Sequence, residues 1–290
     1  MNKKERVFNR IMGKDVDYIP NINIIMQFSA KYLGIPYSVY CSDYRKLVEA
    51  DIKTSEHFGI DLLCVVSDPM REVEMFGGEV IIPFDDVPYE GKHLIEKYSD
   101  ISKLKEKNLF NCKRAYDRVQ AVELFKKEAG DEYPVCGWVE GPIAEACDLR
   151  GISSFMMDII TEPEFSKELM EKCTENAIYY AKEQIKAGAD MIGVGDAAAS
   201  LIGPELYQEL VYPYQERLLY EIRKAEVYTK LHICGNTQSI LEYLPKQVID
   251  IYDVDHLVDY KYAVDVLGEF CSVSGNFDPV EILLQGNSQS

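Results

Sequence analysis

The chain is dominated by an alternation: seven short, mostly apolar runs, nearly all of them followed by a longer stretch with helix signals. The runs cover residues 18–27, 61–68, 133–140, 190–196, 227–234, 249–256 and 270–276. A short apolar run that ends in polar residues and gives way to a helix reads as a buried strand of a parallel sheet. The helical stretches carry their own punctuation. Ser42 is placed to cap a helix over 42–57 that Gly59 stops, and Gly130 closes a helix over 113–129. Thr161, with Pro163 in the first turn, opens a helix to 187 that ends at Gly188, and Pro213 should kink a helix over 204–224. Further helices are predicted from Thr237, over 260–268, and from Pro279. A short amphipathic helix over 3–12 precedes the series, and an excursion over 69–110, with a small hairpin around 79–87, separates strands two and three.

Seven such units with no change of composition between halves predict an α/β fold, a (β/α)8 TIM barrel, over one domain, 1–290. The eighth β/α unit is expected to be missing from this chain. A net charge of −18 argues against nucleic acid and anionic membrane as partners, since both are gripped by clustered Lys and Arg. The first residues lack an apolar signal-peptide core, no run is long enough to span a membrane, and the eight cysteines do not form a disulfide spacing. These features together predict a reducing, cytoplasmic setting.

Polar residues of ligand type gather where the strands end. Strand two ends in Asp68, strand three in Glu140, strand four in Asp196, and strand five in His232 and Cys234. Strand six ends in Asp253, Asp255 and His256, and strand seven in Asn276 and Asp278. In a barrel, that carboxyl rim carries the chemistry. The run 227–234 alternates cleanly, so period-two geometry puts Lys230, His232 and Cys234 on one face and Thr229, Leu231 and Ile233 on the other. An imidazole and a thiol side by side suit zinc, which takes nitrogen and thiolate sulfur together.

Three stretches, Leu231-His-Ile-Cys-Gly-Asn-Thr237, Asp253-Val-Asp-His256 and Ser274-Gly-Asn-Phe-Asp-Pro279, resemble the uroporphyrinogen decarboxylase superfamily. Val66-Ser-Asp68, Glu140-Gly-Pro142, Asp196 through Pro204 and Tyr212-Pro213-Tyr214 extend the resemblance along nearly the whole chain. The pattern is most similar to the branch of zinc-dependent methylcobamide:thiol methyltransferases of coenzyme M type. That resemblance implies zinc held by His232 and Cys234 and a third cysteine, expected beyond residue 290; within this chain Glu140, Asp68 and Asp196 are candidates, by position alone, for a carboxylate that completes the shell. It implies a methyl group carried on a corrinoid by a separate protein and passed to a small-molecule acceptor such as a thiol, with a homodimer as a further expectation. Asp255 and Asn236 are candidates for orienting the histidine or the substrate, and Asp68 and Asp196 for shaping the reaction cavity.

Two alternatives stand beside this reading. One is decarboxylation of a porphyrinogen through Asp68. Against it, the stretch Gln27-Phe-Ser-Ala-Lys31 lacks the arginines that would hold a polycarboxylate, and Asp148 stands near the position of that branch's tyrosine. The other is a barrel that binds a corrinoid or tetrapyrrole without catalysis.

Overall fold

The computed structural model describes residues 1–105, 108–109 and 112–287. The chain opens with helix α1 (Lys3–Ile11), whose Asn2 and Glu5 form a reciprocal capping box. The run 18–27 is not a strand. Residues 18–25 join no sheet, and the run's end is taken into helix α2 (Met26–Leu33). Pro20 removes one ladder donor, and the polar pair Asn21 and Asn23 breaks the apolar face. A reciprocal pair of bonds to Asp61 holds the segment: the Asp61 backbone N–H donates to the Asn21 carbonyl at 2.6 Å, and the Asn21 N–H donates to the Asp61 carboxylate at 2.8 Å.

Helices α3 (Tyr37–Ser42) and α4 (Tyr44–Phe58) follow. Ser42 closes α3 rather than capping α4. Asp43 is the cap, accepting from the Arg45 N–H at 2.9 Å, and Gly59 stops the helix in the left-handed region. Strand β1 (Leu63–Cys64) leads into helix α5 (Met70–Phe76), the hairpin β2 (Val80–Ile81) and β3 (Tyr89–Glu90), and helix α6 (Lys113–Ala129). After β4 (Val135–Glu140) come three helices where one was predicted: α7 (Pro142–Arg150), α8 (Ile152–Thr161) and α9 (Pro163–Lys186). Thr161 ends α8, and Glu162 occupies the cap position of α9. Helix α7 is buried nearly all round, so it has no amphipathic stripe to announce it.

Strand β5 (Met191–Gly195) is followed by α10 (Pro204–Leu206), a π-helical turn at Tyr207–Val211, and α11 (Tyr212–Arg223). The break falls just before Pro213, where the helix was expected to kink. β6 (Tyr228–His232) leads not to a helix from Thr237 but to two short 3-10 turns, Leu241–Tyr243 and Lys246–Val248, with Pro245 between them. β7 (Ile251–Val254), α12 (Tyr260–Leu267) and β8 (Ser272–Gly275) complete the series, and a π turn at Pro279–Leu284 replaces the last predicted helix.

Among the described residues the parallel sheet thus has six strands, in the order β1-β4-β5-β6-β7-β8, rather than seven. It curls as a barrel wall with the helices outside it. Among the described residues β8 pairs only with β7, and a cavity of about 420 Å³ beside it is lined also by Ile19, Ile22 and Ile11. One continuous apolar core runs from α2 to α12 between sheet and helices.

Candidate active site at the carboxyl ends of the strands

Parallel register fixes which residues share a level and a face. Glu140, Gly195, His232, Asp253 and Ser274 are paired across β4, β5, β6, β7 and β8. One step lower lie Trp138, Gly193, Lys230, Ile251 and Ser272. The two glycines of β5 leave room for the Trp138 indole. A Cβ on Gly193 would sit 2.3 Å from Trp138 Cε3, and one on Gly195 2.9 Å from Cζ2. The indole centroid lies 6.0 Å from that of the His232 ring.

The expected orientation of the His-x-Cys strand holds. Thr229, Leu231 and Ile233 are fully buried, while His232 is half-buried and Cys234 is exposed. His232 Nδ1 lies 3.1 Å from Asp253 Oδ2, and Nε2 lies 3.1 Å from Cys234 Sγ. With Nδ1–H donating to the carboxylate, Nε2 is the nitrogen turned toward sulfur; it carries a proton while the imidazole is charged and offers a lone pair only once that proton is displaced. Asp253 also accepts from Lys230 Nζ at 2.7 Å, and this lysine is almost wholly buried. Burial opposes charge on both His232 and Asp253. The pairing outweighs it, lifting the imidazole pKa to about 10 and holding the Asp253 carboxyl below its ordinary range.

The other expected residues are placed differently. Asp255 shapes the turn after Cys234: Oδ2 accepts from the Gly235 N–H and Oδ1 from the Leu257 N–H, both at 2.9 Å, with His256 Nδ1 at 3.0 Å from Oδ1. Gly235 has φ +88, and a Cβ there would meet Ser200 Oγ at 2.8 Å, so the turn requires glycine. Asn236 is exposed, and its carboxamide oxygen accepts from the Gln238 N–H at 3.1 Å, a turn-forming bond. Asp196 is fully buried behind the rim, accepting from the Ala144 N–H at 2.9 Å and Gln215 Nε2 at 2.8 Å; burial lifts its pKa to about 6. Asp68 is locked between two arginines, Arg71 at 2.8 Å and Arg114 at 2.6 Å, with Ser67 Oγ donating at 2.6 Å. Despite burial those cations hold its carboxyl well below the usual range.

Glu140 lies on the inner face at the level of His232 but across Gly195 from it. Its Oε1 accepts from Trp138 Nε1 at 3.1 Å, and its backbone N–H donates to Glu72 Oε1 at 2.8 Å. Among the described residues no three His, Cys, Asp or Glu side chains converge as a metal shell, so Glu140 does not join His232 and Cys234 at one point. Cys271 lies just ahead of β8, at the opposite end from the rim.

Sequence reasoning passed over Lys230 and Asp253 as partners of His232, and Trp138, Glu72 and Glu145 as neighbours of Glu140. The Gly193-x-Gly195 spacing was the available signal, because a strand bare of Cβ on one face marks a close approach.

A curled parallel sheet with an imidazole and a thiol paired at its carboxyl rim is a barrel-type arrangement, and in barrel enzymes that rim is where the active site is built. The sequence profile of the uroporphyrinogen decarboxylase (URO-D) family matches residues 2–290, and the chain belongs to that family. A methylcobamide:CoM methyltransferase, MtbA, of Methanosarcina acetivorans is 29% identical over 292 residues, covering 99% of this chain and 85% of the relative. A uroporphyrinogen decarboxylase of a Geobacter species is 26% identical over 289 residues, covering 94% and 82%. The solved structure of a methyltransferase from Methanosarcina mazei superposes with a TM-score of 0.89 at 22% identity, covering 99% of this chain and 86% of that one. No helix among the described residues is long and apolar enough to cross a membrane.

Proposed function

We propose that this chain is an enzyme that moves a methyl group between a corrinoid and a thiol, with zinc held by His232 and Cys234. The observation that carries the reading is the 3.1 Å pairing of His232 Nε2 with Cys234 Sγ, with Nδ1 anchored on Asp253. It is supported by similarity over 99% of the chain to a methylcobamide:CoM methyltransferase. Of the donors zinc favours, the chain brings one nitrogen and one sulfur together, with the Asp253 carboxylate orienting the imidazole from behind; no third donor among the described residues joins them. When bound there, zinc supplies the Lewis acidity that keeps a substrate thiol deprotonated near neutral pH. Asp253 holds the imidazole tautomer, and Lys230 keeps that carboxylate ionised. Gly235 lets the backbone turn away so that Cys234 stays open at the rim. The methyl carrier in this reading is a separate corrinoid protein docking over that rim, and a reducing cytoplasm keeps Cys234 free.

The decarboxylase reading relies on Asp68, whose oxygens are already occupied by Arg71, Arg114 and Ser67. The test is direct. Protein prepared with zinc available should carry the metal and methylate a thiol from methylcobalamin. Both His232→Ala and Cys234→Ser should lose most of the zinc and the activity while the circular dichroism of the barrel is retained. A protein that carries no zinc and decarboxylates uroporphyrinogen would overturn the proposal.

A further inference from the structure

The loops that follow β1 and β4 enclose a cavity of about 400 Å³. It is lined by Glu90 from the hairpin, His93 just after it, Cys147 and Asp148 near the end of α7, and Ser153 and Ser154 at the start of α8. Connections from strand to helix lie on the carboxyl side of a barrel, so this cavity is on the same side as His232 and Cys234.

Its polar groups are not equally engaged. The Glu90 oxygens accept from His93 Nδ1 at 2.7 Å and from the Leu94 N–H at 2.9 Å. The Asp148 carboxyl makes no hydrogen bond or ion pair among the described residues; only its backbone carbonyl faces His93, at 3.3 Å. Gly151 precedes α8 without a side-chain cap, and no described hydrogen bond takes the N–H groups of Ile152, Ser153 and Ser154. Free donors from a helix start and from two hydroxyls thus share one cavity with a free carboxyl.

That carboxyl is faced by other acids: Glu90 on β3, Glu72 on α5, Glu140 on β4 and Glu145 on α7, with His93 beside them. Burial, then Glu90 and Glu72, lift its pKa to about 7. A protonated carboxyl is both donor and acceptor. An entering anion would meet the surrounding acids, and an entering cation would meet the positive end of α8. A neutral primary carboxamide meets neither penalty. Its N–H donates to the acid carbonyl, and its oxygen accepts from the acid O–H and from the N–H groups of α8.

We propose that this cavity binds a primary carboxamide through Asp148 and the first turn of α8, and that the amide is one of those fringing the corrin ring of the methyl carrier. Cobamides carry primary carboxamides around that ring. The corrin assignment rests on the methyl-transfer reading; the amide subsite does not.

Propionamide, propionate and propylammonium are neutral, anionic and cationic fragments of similar size. Ligand-observed NMR titration of the intact chain at pH 6 should show saturable binding of propionamide, with the two ions at least about tenfold weaker, the scale of one hydrogen bond left unmade. Because the protonated form of Asp148 makes the pair, propionamide affinity should fall about tenfold from pH 6 to pH 8. Asp148→Asn keeps a donor and an acceptor at every pH, so it should bind propionamide without that fall; Asp148→Ala should bind it about tenfold more weakly at pH 6. In methyl transfer from methylcobalamin, Asp148→Ala should raise the KM for methylcobalamin about tenfold and leave the KM for the thiol as it is. No saturable propionamide response, equal binding of either ion, or a pH-dependent fall that persists in Asp148→Asn overturns the subsite. If propionamide binds as described and no thiol is methylated, the catalytic reading fails and the subsite stands. If the KM for methylcobalamin is unchanged, the corrin assignment fails, and a rise confined to the thiol moves the amide to the acceptor.

Discussion

On the β6–β7 flank of the site, Asp253 divides its two oxygens between Lys230 and His232; on the β4 flank, Glu140 and Glu145 meet mainly other carboxyls. Both flanks are buried, so the difference is one of pairing rather than solvent. Pairing holds Asp253 ionised, whereas burial and mutual repulsion push Glu140 and Glu145 well above the ordinary carboxylate range. The paired flank is organised before any ligand arrives. The unpaired flank is held as buried acids whose charge is suppressed, so the two flanks differ in charge at neutral pH.

The sharpest way to break this comparison is to remove a charge from each flank. Lys230→Met takes the buried cation from Asp253 and should cost about 3–5 kcal/mol, the range for breaking a buried pair by deleting one partner. Glu145→Gln removes an acid that has no partner, and should leave stability at pH 8 unchanged or raise it. Urea unfolding of the two variants measures both. Equal destabilisation would mean that Glu145 is paired after all.

A smaller effect tests the geometry that sets the flanks apart. Gly193→Ala puts a Cβ 2.3 Å from the Trp138 ring, which is already confined beside β5. Either the strand or the indole must move, at about 1–3 kcal/mol. Unfolding should shift by that amount, and the emission maximum of Trp138 should move with it. An unchanged emission would show that the ring has free space on another side.

The paired flank was largely legible in the sequence, because period-two alternation along 227–234 dictates which side chains face inward. The strand ends were legible too, since apolar runs stop where polar side chains begin. Legibility failed where local and tertiary signals diverge. The run 18–27 has the apolar content of a strand, but Pro20 and the two asparagines leave it unpaired. Helix α7 is buried on all sides and carries no periodic stripe. Asp255 and Asn236 sit beside the histidine in sequence, yet turn chemistry claims them: short polar side chains bond the nearest backbone N–H first. The acidic flank was invisible for a different reason. Glu72, Glu140 and Glu145 come from α5, β4 and α7, and only the packing of α5 against α7 brings them together.

The least of the expected effects is a pH dependence of stability, and its sign separates the carboxyls of the two flanks; His232, lifted to about 10, adds a loss of the same sign as the β4 acids only above about pH 6.5. Burial lifts Glu72 and Asp148 to about 7 and Asp196 to about 6. In the unfolded chain the same groups ionise near pH 4. Between about pH 4.5 and 7 the folded chain therefore holds more protons than the unfolded one, so stability falls as pH rises through that window. Asp253 has the opposite sign: its contribution is complete above the ordinary carboxylate range and is lost only in more acidic solution. A scan from pH 5 to 7 should thus show Tm falling by about 2–4 °C for each kcal/mol of proton linkage. Glu72→Gln should flatten the slope, and Lys230→Met should lower Tm without changing it. The slope should not vanish in the Glu72 variant, because Asp51, bonded to Tyr40 and lifted by burial to about 7, titrates in the same window far from the site. A Tm that rises from pH 5 to 7 would mean that the β4 carboxyls are ionised and paired in the folded chain, and the contrast between the flanks would be lost.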